Sequence, residues 1–198
     1  MNLNYIYNRT KDIIINPEIE WIKVKNEIEV KTNHVTLILF PFSIILAIGA
    51  MIGSVLFNVN NLGTGFNISS LIIGVNAFLL SFSGTYTSAY ILNELIYNFT
   101  KEKDFNTSLS IIINTLIPYY LFAFLAYIIP QLSIIFTILG LYSVYIFLYA
   151  IRKLIRIHSE KIVGFLILST MIGLIIFFVL KFVLGSIYLF ITTLITSV

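Results

Sequence analysis

Between Lys31 and Glu94 the chain carries no Asp, Glu, Lys or Arg, and the same holds from Phe105 to Ile151. A helix needs about 20 apolar residues to cross the hydrocarbon core of a bilayer, so each gap is too long for one crossing and suits two. Turn-forming residues stand where each block must fold back. Asn58, Asn60, Asn61, Gly63, Thr64, Gly65 and Asn67 cluster in the first block, and Pro130, Gln131 and Ser133 mark the second. With 59% hydrophobic and 11% charged residues, the chain lacks the polar groups to cover itself in water, and part of its solvent must be lipid.

The expected fold class is therefore all-α: a polytopic transmembrane helical bundle of about five spans. These are placed near 35–57, 68–97, 107–129, 132–151 and 161–183. The bundle domain covers 35–198, and a short amphipathic segment, 1–34, precedes it. Lys181 interrupts the last apolar block. The preferred reading is one long or tilted fifth helix, with Lys181 reaching towards the outer face and 184–198 as an interfacial tail. A short sixth span is the alternative.

Charge placement gives the orientation. All 12 Lys and Arg residues except Lys181 fall in three segments: the N-terminus, the Lys101–Lys103 loop, and the stretch from Arg152 to Lys161. If each apolar block is a hairpin, these segments share one side, which the positive-inside rule makes the cytoplasm. The formal charge of +3 follows from that placement and gives no reason to expect nucleic-acid binding. The N-terminus lacks the short apolar core of a signal peptide, and none is expected.

The N-terminal segment reads as one or two surface helices. Asn16 and Pro17 form a helix start, with Asn16 able to cap and Glu18 and Glu20 at the positive end. Trp21, Val24 and Ile28 make one apolar stripe, while Ile19, Ile22 and Val30 fall off it. Two readings stand. In one, the helix lies on anionic lipid with Trp21 as anchor and Lys23, Lys25 and Lys31 near headgroups. In the other, it caps the inner face of the bundle.

Little catalytic chemistry is expected. There is no cysteine, His34 and His158 lack partners at metal-ligand spacing, and Gly63-Thr64-Gly65 is a turn and not a phosphate loop. Glu102 and Asp104 alternate with Lys101 and Lys103 as a solvated loop. No enzyme, metal or cofactor is expected. Asn76 and Asn114 are intramembrane amides that serve either interhelical hydrogen bonds or a polar path. Helix packing falls to Gly49 and Gly53, to Gly84 and Ser88, and to Ser169 and Gly173, pairs at four-residue spacing that let backbones approach. Pro118 should kink the third span. Ser81, Ser83, Thr85, Thr87 and Ser88 suggest that the second span is central. Tyr142, Tyr145 and Tyr149 stripe the fourth, for packing and anchoring or for an aromatic ligand.

Asn16-Pro17-Glu18-Ile19-Glu20-Trp21, Lys103-Asp104-Phe105 leading to Pro118, and Gly140-Leu141-Tyr142-Ser143-Val144-Tyr145 running on to Glu160-Lys161 together resemble the bacterial branch of the Yip family. These are membrane proteins named for interacting with Ypt/Rab GTPases in eukaryotes. The resemblance covers nearly the whole chain. It implies the five-span topology and a role as membrane adaptor or scaffold, in membrane organisation or trafficking-like processes, at a bacterial cytoplasmic (inner) membrane. The partners implied are the lipid bilayer and either a homo-oligomer or other membrane proteins. The acidic Asp-Leu-x-Gly-Pro element of eukaryotic members is absent, so Rab-type GTPase binding is not carried over. The alternative function is a small passive transporter or channel with its path along Asn76 and Asn114.

Overall fold

The computed structural model describes residues 3–57, 68–155, 157 and 159–196, and among these helix is the only regular structure. The turn expected between Asn58 and Asn67, and the loop residues Arg156 and His158, lie outside the described residues. Two short helices come first, α1 (Leu3–Ile15) and α2 (Pro17–Glu29). Pro17 occupies the first turn of α2, where its missing N–H removes no helical bond. The Asn16 side chain makes no capping hydrogen bond, which corrects the expectation of a cap there.

The first apolar block is a continuous helical run, a π-helical turn (Val35–Leu39) leading into α3 (Phe40–Phe57). Pro41 accounts for the π turn. It has no N–H for the carbonyl four residues back, and the preceding Phe40 N–H reaches five residues back, to Val35. Asn33 opens the run, its side-chain oxygen accepting from Val35 and Thr36 N–H at 3.1 and 3.2 Å. After α4 (Ile68–Thr100), Asp104 caps α5 (Phe105–Thr115) by accepting from the Asn106 N–H at 3.0 Å. Asp104 is thus a helix cap as well as a loop charge.

Helix α5 and helix α6 (Ile117–Ile128) follow one another with a bend of 43° between them. Pro118 stands in the first turn of α6 and cannot donate to the carbonyl four residues back. Just beyond it, the Tyr119 N–H donates across to Ser143 Oγ at 3.2 Å. A 3-10 turn (Pro130–Leu132), α7 (Ser133–Gly140) and α8 (Tyr142–Leu154) make the next crossing. The last helix, α9 (Ser159–Thr196), is unbroken. No turn follows residue 183, so as far as Thr196 the chain extends the fifth helix; neither a separate sixth span nor a distinct interfacial helix begins at 184. At 38 residues it is about 57 Å long, well beyond a hydrocarbon core of about 30 Å, so it tilts or projects.

Four helical runs are long and apolar enough to cross a membrane: Val35–Phe57, Ile68–Thr100, Pro130–Leu154 and Glu160–Ile191. Counted as one run, the bent α5–α6 pair brings the candidates to five. Helix α4 is central, packing against α3, α5 and α9, while α6 packs against both α3 and α7. Its Ser and Thr hydroxyls are mostly turned back on its own backbone, Ser81 to Phe78 and Thr85 to Ser81 at 2.9 and 2.7 Å. Glycine sets the α3–α6 distance. A Cβ on Gly53 would overlap the Tyr127 carbonyl, and one on Gly49 would meet the Phe124 ring. Gly84 faces Leu180 of α9 at ordinary contact distance, with Ser88 half-buried one turn on. Gly173 meets nothing, so the Ser169–Gly173 pair brings no helices together.

Candidate functional site

Where α1 and α2 meet the bundle, ionisable side chains are buried together. Arg9, on α1, is 3% exposed, and its guanidinium lies between two carboxylates of α2. Its Nη1 is 2.7 Å from Glu20 Oε1, and its Nη2 donates to Glu27 Oε1. Nη2 also donates to the Tyr5 hydroxyl at 2.9 Å. Two antiparallel partners supply these groups because the break at Asn16-Pro17 folds α2 back along α1. Burial alone would lower the Arg9 pKa; Tyr5, Glu27 and Glu20 outweigh it, and the guanidinium is held more firmly charged than usual. Lys23 adds an outer rung, reaching Glu20 at 2.7 Å and Asp12 at 3.1 Å.

His34 carries the cluster into the bundle. It is buried beside Glu27, with Nε2 3.5 Å from the carboxylate, and its Nδ1 faces the Asn114 amide nitrogen at 2.8 Å. With the amide as donor, Nδ1 must accept, which leaves the proton on Nε2, towards Glu27. Burial, then the charge on Arg9, pushes the His34 pKa down to about 4, so the ring is neutral at pH 7. Asn114 also donates to the Ser110 carbonyl at 2.9 Å.

The same helices are fastened at a second place. Trp21 is fully buried, and its indole N–H donates to the Ile146 carbonyl of α8 at 3.1 Å. Val24 is buried beside it, and Ile28 packs against the same core. This corrects the reading of Trp21 as a membrane-surface anchor: the Trp21 stripe faces protein. Lys23, Lys25 and Lys31 remain exposed. So do the residues that fell off the stripe, Ile19, Ile22 and Val30. Tyr142 of α8 donates to the Ile14 carbonyl at 2.9 Å, and Lys153 pairs with Glu18 at 2.8 Å. Tyr145 and Tyr149 hydrogen-bond to each other.

The two intramembrane amides engage different elements. Asn76 of α4 donates to the Leu184 carbonyl of α9 at 2.9 Å, whereas Asn114 belongs to the His34 cluster. Sequence reasoning missed Arg9, Glu20, Glu27 and His34 as a unit. Arg9 and Glu20 lie on separate helices, and only the spacing Glu20–Glu27, two turns on one face, gave a signal.

A search of curated proteins gives no match, and neither does one of solved structures. The Yip1 domain, by contrast, matches residues 11–181. That stretch takes in Trp21, the Arg9-facing carboxylates of α2, His34, all of α3 to α8 and α9 as far as Lys181. The chain therefore belongs to the Yip1 domain family of membrane proteins.

Proposed function

We propose that this protein is a non-enzymatic membrane adaptor or scaffold. It serves membrane organisation at a bacterial-type cytoplasmic membrane, with its N-terminus in the cytoplasm. The observation that supports this most is the fastening of α1 and α2. Buried ion pairs tie α1 to α2, and the Trp21 and Tyr142 hydrogen bonds hold that pair against α8. The pair's free face then presents Ile19, Ile22, Val30, Lys25 and Lys31. A face that mixes apolar and basic groups on a fixed platform suits a partner protein lying against the inner leaflet. The lysines add attraction to anionic headgroups of about 1 kcal/mol each. The partner is a second copy of this chain or another membrane protein.

Cross-linking in membranes, followed by purification in mild detergent, tests the reading. The wild type should capture a defined partner or its own dimer, and an Ile19→Asp, Ile22→Asp double variant should lose it while keeping its fold. Solute-specific flux through liposomes holding the purified protein, abolished by Asn76→Leu, would replace the adaptor with a passive transporter.

A further inference from the structure

Lys181 is the one basic residue set within an apolar block. It lines a cleft of about 220 Å³ walled by α4, α6 and α9, together with Asn76, Ala77, Tyr127, Gly185 and Tyr188. The ammonium lies over the Phe177 ring, 5.9 Å from its centre. Among the described residues, none of the ion pairs includes it. A lysine in apolar surroundings is costly unless an anion or water meets its charge. A Cβ on Gly185 would meet no atom within 4 Å, so that edge of the cleft is open, and Asn76 is held by its bond to the Leu184 carbonyl. Its walls continue into the exposed apolar surface of α9, where Phe178 and Phe182 stand.

We propose that this cleft binds the headgroup phosphate of an anionic phospholipid, with Lys181 as its cation. Access from the side, along an apolar helix face, favours a lipid over a soluble anion. The polar lining sits beside apolar walls, as a headgroup with attached acyl chains requires. A volume of about 220 Å³ holds several waters at about 30 Å³ each, or one phosphodiester group in their place.

The test is native mass spectrometry of the full-length protein with added phosphatidylglycerol or phosphatidylcholine. Wild type should keep one tightly held phosphatidylglycerol that Lys25→Gln and Lys31→Gln leave in place. Lys181→Gln should weaken it about tenfold or more, as loss of a charge-assisted contact does, and Lys181→Arg should retain it. Gly185→Leu has room to fold, fills the cleft without touching the charge, and should also expel the lipid. Equal retention of the two lipids, or retention unchanged in both Lys181→Gln and Gly185→Leu, would overturn the proposal. Displacement by inorganic phosphate at the lipid's own concentration would make the site one for soluble anions and overturn the lipid assignment.

Discussion

Arg9 is the residue on which the N-terminal helices depend. Removing it leaves Glu20 buried beside Glu27 with Lys23 at the rim as the remaining cation, and breaking a buried ion pair in this way costs about 3–5 kcal/mol. Arg9→Ala should therefore lower the thermal stability in detergent and red-shift the emission of Trp21, the chain's one tryptophan. Unchanged emission would mean that Trp21 holds α2 in place unaided. His34 gives the same region a pH dependence. Its folded pKa of about 4 lies below the ordinary value of 6.5. Between these values the unfolded chain binds a proton that the folded one refuses. The stability His34 contributes is thus complete above about pH 6.5 and is lost as pH falls towards 4, with a total on the order of 3 kcal/mol. His34→Gln should flatten the melting temperature across that window, and an equally steep profile in the variant would assign the dependence to other groups.

Among the elements, glycine has opposite meanings on α3 and on α9. Gly53→Ala must push α3 away from the Tyr127 carbonyl of α6, an overpacking worth about 1–3 kcal/mol. Gly173→Ala meets open space, and should raise stability by about 0.5–1 kcal/mol through helix propensity alone. If both variants melt alike, α3 and α6 are not held at backbone contact. Four-residue spacing made Gly49 and Gly53 legible in the sequence, but it flagged Ser169 and Gly173 equally, because spacing does not say which helix face meets a neighbour. The bend at Pro118 was legible from its missing N–H. The π turn before Pro41 obeys the same chemistry and was not anticipated, since a proline near the start of a span also fits an ordinary helix. A single long helix through Lys181 was the preferred reading, but its continuation beyond 183 was not legible, because the charge reads as the near end of a span while in the fold it lies against a cleft.

At the scale of the molecule, the crossings were legible because an apolar block has few ways to satisfy its backbone other than a helix. The seat of α1 and α2 was not. Their apolar stripe fits a bilayer surface and a protein groove equally well, and it is contacts far along the chain, such as the Trp21 indole with the Ile146 carbonyl and Tyr142 with the Ile14 carbonyl, that separate the two. The His34 cluster was concealed for a related reason: its groups come from α1, α2, the start of the first crossing and α5, which sequence distance keeps apart. The proposed orientation puts every charged segment of the bundle, together with α1 and α2, on the cytoplasmic side. The chain has no cysteine, so single cysteines at Lys25, Lys103 and Gln131 can be probed one at a time with a membrane-impermeant maleimide in intact cells. Gln131→Cys should label from outside, whereas Lys25→Cys and Lys103→Cys should label only after permeabilisation. Labelling of either lysine position in intact cells, or protection of Gln131→Cys, would contradict it.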